Sequence, residues 1–182
     1  MKKLALIALL ALPLTVSAQD FDGKLLMGLS LFGDYGTLSF ENDAIPADVD
    51  AQIMPGMGIS GRFPIASGFY GELGGYACGR TSNIYGISFN VIKFATEDYY
   101  GFAGASFDIW DLGYDIESKA GFSVQAGAGM KLEFEEQDFL FLEAGIKYRK
   151  AKTDVSTIPE YDEISFDTFA PFVRVSVFTK II

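Results

Sequence analysis

Hydrophobic and polar residues alternate one by one along nearly the whole chain after Gly23. The clearest segment is 121–134. There every even-numbered position from Phe122 to Phe134 is apolar, and the odd-numbered positions are Gly, Ser, Gln, Lys or Glu. A strand places two such sets on opposite faces, whereas a helix would scatter both around its circumference. The pattern therefore predicts β-strands with one apolar face.

The same period predicts eight strands, at about 24–33, 53–63, 68–79, 84–93, 99–110, 121–134, 139–149 and 165–181. Each is close to the length that crosses a bilayer at a tilt. The predicted connections are short at 64–67, 94–98 and 135–138 and longer at 34–52, 111–119 and 150–164, with a short exception at 80–83. Membrane barrels have this alternation of short periplasmic turns and long external loops. We predict an all-β fold, an eight-stranded antiparallel up-and-down transmembrane β-barrel, with both termini on the periplasmic side.

The first eighteen residues have a different pattern. Lys2 and Lys3 precede an apolar run, and the small residues Val16, Ser17 and Ala18 follow it. This order is typical of a secretory signal peptide. A short membrane anchor is the alternative, but the run is shorter than the roughly 20 residues that span a bilayer. We therefore divide the chain into a removed signal peptide, 1–18, and a barrel, 19–182.

Composition narrows the chemistry that these 182 residues can perform. The chain has no His and a single Cys, Cys78, which excludes His-based acid–base catalysis, His metal sites and an internal disulfide. The net charge of −10 argues against nucleic acid as a partner. No spacing of Ser or carboxylates singles out a catalytic group. We expect neither enzymatic activity nor a cofactor.

The two phases of the strands differ in charge. Away from the strand ends the apolar phase carries no charged residue, as lipid contact requires, because a cation at the bilayer midplane costs about 2–4 kcal/mol. A soluble barrel or sandwich with this phase around a core or ligand, as in a lipocalin, is the alternative. This alternative is disfavoured because eight strands enclose an interior too narrow for so many bulky side chains. We expect the apolar phase to face lipid.

The polar phase would then fill the lumen. Its charged residues are Arg62, Glu72, Asp108, Lys131, Glu133, Glu143, Lys147, Arg149 and Arg174. Because an isolated buried ion is costly, they should pair. We expect Arg62 to pair with Glu72, and Glu143 to lie near Arg174 and directly opposite Lys131. We interpret this set as a structural network that plugs the barrel, and a proton or ion path is the alternative.

The predicted external loops are rich in carboxylates, and Asp34 is assigned to the first of them. Clustered carboxylates can bind hard divalent cations, which would bridge to lipopolysaccharide, or they can contact a partner. The candidates are Asp43, Asp48, Asp50, Asp115, Glu117, Glu160, Asp162 and Glu163. Their spacing matches no EF-hand loop. Solvated loop tips that resist aggregation are the alternative.

Two prolines fall inside predicted strands, although proline cannot donate a hydrogen bond to a ladder. Pro55 and Pro171 would lie toward the external ends of the two strands that neighbour the first. We predict a bulge or an early end of pairing near residues 32–35.

These features resemble those of the small eight-stranded outer-membrane β-barrels of Gram-negative bacteria, the OmpX-like and OmpA-transmembrane-domain-like barrels of the porin family. The resemblance covers 24–182 and rests on the signal peptide and on the dyad-repeat strands AGFSVQAGAGMKLEF, FLFLEAGIKYRK and FVRVSVFTKII. It implies a monomer in the outer membrane, in contact with lipid and lipopolysaccharide and inserted by the outer-membrane assembly machinery. Barrel enzymes of this shape rely on His, so the resemblance does not extend to their activity.

Three roles follow from the resemblance. The first is a plugged barrel with a structural envelope role or loop-mediated surface interaction. The second is a narrow pore, or transport of small hydrophobic ligands. The third is adhesin-type binding through the external loops.

Removal of the signal peptide is directly testable. We expect the protein isolated from the cell envelope to begin at Gln19. Replacing Ala18 with Arg should block cleavage, because the cleavage site requires small residues. N-terminal sequencing and intact mass check both expectations. A wild-type envelope protein that begins at Met1 would support the membrane anchor.

Overall fold

The computed structural model describes residues 24–40, 49–79, 83–111, 117–118, 120–135, 137–154 and 164–181. They form a single antiparallel sheet that closes on itself, because the first strand pairs with the last. The strands are β1 (Leu26–Phe40), β2 (Val49–Ala66), β3 (Phe69–Gly79), β4 (Asn83–Phe94), β5 (Tyr99–Asp111), β6 (Glu117–Ser118), β7 (Ala120–Glu135), β8 (Asp138–Asp154) and β9 (Ile164–Lys180). Within this part of the chain, no helix is long and apolar enough to cross a membrane.

The eight-stranded transmembrane barrel predicted from alternation is confirmed, and the eight long strands pair with their neighbours in chain order. The differences lie at one end. β1 continues to Phe40 instead of ending near 33, β2 begins at Val49, and β8 continues to Asp154. The alternation weakens in these stretches, yet backbone pairing persists. The two-residue β6, which the pattern does not indicate, pairs with the extended end of β8.

Tight turns gather at the rim where β1 begins and β9 ends, which we call the terminal rim. The opposite end is the loop rim. Gly68, in the turn between β2 and β3, has φ 72°, a backbone conformation that glycine adopts without steric cost. In the turn between β4 and β5, the Thr96 hydroxyl accepts hydrogen bonds from the amides of Asp98 (3.3 Å) and Tyr99 (3.0 Å). Short turns at this rim fix the register of each hairpin.

The apolar phase faces outward around the barrel. Leu29, Leu31 and Ile87 are about two-thirds exposed, and many other large apolar side chains are also exposed. Among the described side chains, charged residues occur in this phase only toward strand ends, at Lys93, Asp138, Lys150 and Asp167. A continuous exposed apolar surface of this kind has no favourable contact with water, and it matches the lipid-facing band of a membrane barrel.

The irregularity predicted at the prolines lies at residues 35–38 of β1, just beyond the expected position. Pro55 is still paired with Gly33. The pairing of β1 with β9 stops after Asp34, where Pro171 would be the next partner, and it resumes at Ser39. β1 also bulges against β2 in this stretch. Since Pro171 has no N–H, the ladder loses a donor there.

If this surface faces lipid, the cost of placing a charge on it should fall from the middle of the barrel toward the rims. Leu31→Arg, near the middle of the outward face of β1, should lower the free energy of unfolding by about 2–4 kcal/mol, because a cation at the midplane of a barrel is poorly solvated. Tyr35→Arg, nearer the loop rim, should cost about 0–1 kcal/mol. Urea titration in phospholipid vesicles, followed by heat-modifiable gel mobility, measures both. Equal costs at the two positions would contradict a lipid-facing band.

Candidate functional site

The inward-facing charges form two groups of two cations and two anions each. We call Arg62, Glu72, Glu143 and Arg174 the terminal quartet, because they lie in the half of the lumen nearer the terminal rim. We call Asp34, Asp108, Lys147 and Arg149 the loop quartet. Each quartet is formally neutral. Charge is therefore cancelled separately at two levels of the lumen.

The terminal quartet is a closed ring of ion pairs. Arg62 Nε lies 2.6 Å from Glu72 Oε2, and Arg62 Nη2 lies 2.7 Å from Glu143 Oε1. Arg174 Nη1 lies 2.9 Å from Glu72 Oε1, and Arg174 Nε donates to Glu143 Oε2. Each guanidinium thus bridges both carboxylates. Such charge-assisted contacts are the strong class of hydrogen bond.

Strand register explains how the ring assembles. Arg62 is directly opposite Glu72 on β2 and β3, and Glu143 is directly opposite Arg174 on β8 and β9. Each pair therefore forms between neighbouring strands. Cross-connections between the two pairs then close the ring over β1, which lies between β2 and β9.

Neutral polar side chains complete the hydrogen bonding of the two glutamates. Asn90 Nδ2 donates to Glu72 Oε1 at 2.9 Å, and Tyr100 Oη donates to Glu143 Oε1 at 2.7 Å. Gln125 Nε2 donates to Asn90 Oδ1 at 2.7 Å and extends the network to β7. Buried ion pairs are tolerated when additional hydrogen bonds satisfy the charged groups, and this network meets that condition for both carboxylates.

Aromatic rings fill the lumen around Arg62. The guanidinium carbon lies 4.1 Å from the ring centroid of Phe141, 4.5 Å from that of Phe178 and 5.5 Å from that of Tyr100. These rings belong to a buried apolar cluster toward the terminal rim, formed by Leu26, Tyr70, Ile92, Phe94, Tyr100, Phe102, Phe139, Phe141, Phe172 and Phe178. Cation–π contact is strongest where the cation is removed from water.

Glycines make room for these groups. A Cβ at Gly129 would lie 2.5 Å from Tyr100 Cζ and 2.8 Å from Glu143 Cγ. At Gly127 it would lie 2.7 Å from Phe102 Cζ. A side chain at either position would displace a ring or a quartet member.

The loop quartet is more loosely joined. Asp34 contacts Arg149, and Lys147 Nζ lies 3.5 Å from Asp34 Oδ2. Arg149 Nε is 3.7 Å from Asp108 Oδ2. The Lys147–Asp34 and Arg149–Asp108 ion pairs are therefore weaker than those of the terminal quartet, whereas the Asp34–Arg149 pair is close.

Hydroxyl groups support Asp108 in the loop quartet. Tyr76 donates to it, and Ser106 Oγ donates to Asp108 Oδ1 at 3.1 Å. Ser106 also shares a hydrogen bond with Ser123. Arg149 Nη2 lies 3.7 Å from Cys78 Sγ, so the buried thiol packs against this group. The hydroxyls bring β3, β5 and β7 into contact with the quartet.

The structure gathers most of the charges that the sequence assigns to the lumen but excludes two. Lys131 is opposite Phe141, whereas Glu143 is opposite Gly129, so the expected direct pairing of Lys131 with Glu143 is wrong by two residues of register. The Lys131 ammonium lies 5.7 Å from the Phe139 ring. Glu133 is exposed near the terminal rim. Neither belongs to a quartet.

The structure also adds to the lumen a charge that the sequence pattern leaves out, Asp34. The pattern assigns it to an external loop, but it lies in β1 and is fully buried in the loop quartet. Its phase is that of Ser30 and Phe32, which also face inward, so extending the predicted strand would have found it. Asn90 and Tyr100 lie in inward phases as well, but an uncharged side chain gives no signal that it completes an ion network.

The carboxylates proposed for cation or partner contacts lie largely outside the described residues. This holds for Asp43, Asp48, Asp115, Glu160, Asp162 and Glu163. Asp50 and Glu117 lie in β2 and β6, and their side chains are outside the described part as well. The predicted signal peptide 1–18 also falls there. In the portion of the chain that is described, no group of three or more Cys, Asp or Glu side chains could hold a metal ion.

Comparison with known proteins shows similarity in fold alone. No protein-family model matches the chain, and no curated protein matches it. The outer membrane protein OprG from Pseudomonas aeruginosa is 10% identical with a TM-score of 0.54, over 87% of this chain and 96% of that one. The outer membrane protein AlkL is 14% identical with a TM-score of 0.49, over 93% and 95% of the two chains. Neisserial surface protein A is 15% identical with a TM-score of 0.46, over 82% and 96%.

The terminal quartet gives a matched pair of tests. Glu143→Gln removes the charge that faces both Arg62 and Arg174 and should destabilise the barrel by about 3–5 kcal/mol, because it leaves an uncompensated buried cation. Glu133→Gln, on the exposed rim, should change stability by less than about 0.5 kcal/mol. Urea unfolding of both variants in the same vesicles measures the two changes in the free energy of unfolding. Similar effects for the two would show that the buried ring does not stabilise the fold.

Proposed function

We propose that this chain, which has the fold of the small eight-stranded barrels of the bacterial outer membrane, is a plugged barrel with a structural role in the cell envelope. In this role the apolar outer wall anchors the protein in lipid, and the filled lumen keeps the wall rigid and closed to solutes. The loops at the loop rim can then contact other molecules at the cell surface.

The closed ring of the terminal quartet is the observation that carries this proposal. Arg62 and Arg174 each bridge Glu72 and Glu143, so four side chains from β2, β3, β8 and β9 lock the lumen in a single layer. Arg62, Glu72 and Glu143 are almost completely buried. A solute on the barrel axis would have to break several charge-assisted hydrogen bonds in a dry environment.

The aromatic cluster reinforces the ring. Tyr70, Phe139, Phe141 and Phe178 are almost completely buried on the terminal side of the quartet. The cavity between the two quartets measures only about 30 Å³. That volume holds one or two water molecules rather than a nutrient. A plugged lumen therefore accounts for the packing better than a pore.

Loop contact with lipopolysaccharide, bridged by divalent cations on the acidic loops, is part of the proposal. Its support is the clustering of carboxylates in the sequence, since carboxylate oxygens suit hard cations and the outer leaflet is anionic. A non-catalytic role is supported by the absence of His from the sequence.

Planar-bilayer recording tests the plug. We expect the wild-type protein to give no reproducible single-channel steps. A variant with all four members of the terminal quartet changed to alanine should conduct, because it loses the ring while leaving no unpaired charge. The matched control is Lys131→Ala with Glu133→Ala, which removes one charge of each sign outside the ring and should stay silent. Regular steps from the wild-type protein would overturn the proposal in favour of a narrow pore.

A further inference from the structure

A small cavity lies in the middle of the lumen, between the two quartets. Its charged lining is Lys147 from the loop quartet and Arg174 from the terminal quartet. Its neutral polar lining includes Gln125, Ser30 and Ser88. None of the four carboxylates of the quartets is among the lining residues. The charged groups in the wall of the cavity are therefore both cations, and their carboxylate partners lie outside the lining.

Lys147 is the residue that points to a ligand. Its side chain is about 94% buried, yet its ammonium lies 3.5 Å from the carboxylate oxygen of Asp34, beyond the usual length of a charge-assisted hydrogen bond. Asp34 is also in closer contact with Arg149. An ammonium has three donors, and this ion pair does not use them fully.

Three aromatic rings also lie close to this ammonium. The ring centroids of Tyr76, Phe32 and Phe172 lie 5.1, 5.3 and 5.4 Å from Lys147 Nζ. Ring faces attract a cation but offer it no conventional acceptor. The same three rings also line the cavity. The ammonium and the cavity thus share their walls, and an acceptor inside the cavity would complete its coordination.

The remaining lining is suited to the same ligand. Ser30 and Ser88 are buried, and their hydroxyls can turn to donate. Arg174 carries one nitrogen, Nη2, that is buried without a hydrogen-bond partner. A buried donor without a partner costs free energy, so an acceptor within its reach is stabilising.

We propose that this cavity binds a monatomic monovalent anion of the size of chloride. The small volume, about 30 Å³, favours a monatomic ion over sulfate, phosphate or carboxylate ligands. Among the described residues, the only charged ones that line the cavity are two cations, Lys147 and Arg174. Coulomb attraction to them favours an anion over a neutral water, because it is strong in a poorly solvated interior. The site is independent of whether the barrel conducts, so its test is separate from that of the plug.

Anomalous diffraction from bromide locates the ion directly. Crystals of the wild-type protein grown in sodium bromide, without chloride, should show an anomalous peak in the cavity, within contact distance of Lys147 Nζ. A bromide map with no peak there, or with peaks only on the outer surface, would overturn the proposal. This measurement needs no variant and so does not depend on the folding of one.

A solution measurement tests the same site. At constant ionic strength, replacing gluconate with chloride should raise the midpoint of thermal unfolding in proportion to the logarithm of chloride concentration, because a ligand that binds only the folded state stabilises it. Constant ionic strength removes the effect of screening. Lys147→Met should abolish the chloride dependence. Lys93→Met, which removes a lysine near the terminal rim 5.2 Å from the Phe69 ring, should retain it. A chloride response that is equal in the two variants would contradict the assignment to this cavity.

Discussion

Charge cancellation inside a narrow, poorly solvated tube is the constraint on which this structure depends. A barrel in lipid has no solvent outside it, so every ionic group placed inward must find its counterion inward as well. The chain meets this requirement twice, with two cations and two anions at each of two levels. The apolar exterior, the inward glycines and the aromatic packing around Arg62 are all compatible with that arrangement. Without this cancellation, the barrel would enclose charged groups that have no counterion.

The two levels differ in how tightly they are made, and the difference runs along the barrel axis. Toward the terminal rim, ion pairs are short and are packed against aromatic rings. Toward the loop rim, Asp34 contacts Arg149 closely, but the Lys147–Asp34 and Arg149–Asp108 ion pairs are longer, and hydroxyl groups support Asp108. Between them lies a cavity whose charged lining consists of two cations, Lys147 and Arg174. The lumen is therefore densely packed toward the terminal rim and more polar toward the loop rim.

Alternation predicts the strands well because the two faces meet different environments, lipid outside and side chains inside. The pattern fails where that difference ends. β1 beyond residue 33 and β8 beyond residue 149 extend toward the loop rim, where apolar and polar residues alternate less regularly. Asp34 keeps the inward phase of Ser30 and Phe32, but it lies just past the predicted end of the first strand. The sequence also finds most of the charges that face inward, although it misses Asp34 and includes the exposed Glu133. It also finds two of the expected partners across strands, Arg62 with Glu72 and Glu143 with Arg174. It misplaces the third pair, because register depends on each turn: the irregularity between Glu133 and Glu135 in the β7–β8 hairpin accompanies a pairing that sets Lys131 opposite Phe141. Ring closure over β1 depends on the three-dimensional curvature of the sheet and has no local sequence signal.

The position of the terminal quartet has a consequence for the order of assembly. Arg62 and Glu72 come from the second and third strands, whereas Glu143 and Arg174 come from the last two, and the seam between β1 and β9 lies between the two pairs. Each pair can form within its own neighbouring strands at any time. The cross-links Arg62–Glu143 and Arg174–Glu72 join residues 81 and 102 positions apart and require both sides of the seam to be in place. Contacts of such long sequence separation form late in folding. The ring can therefore be completed only after the first and last strands have paired. Once formed, it stabilises the closed barrel against separation of those two strands.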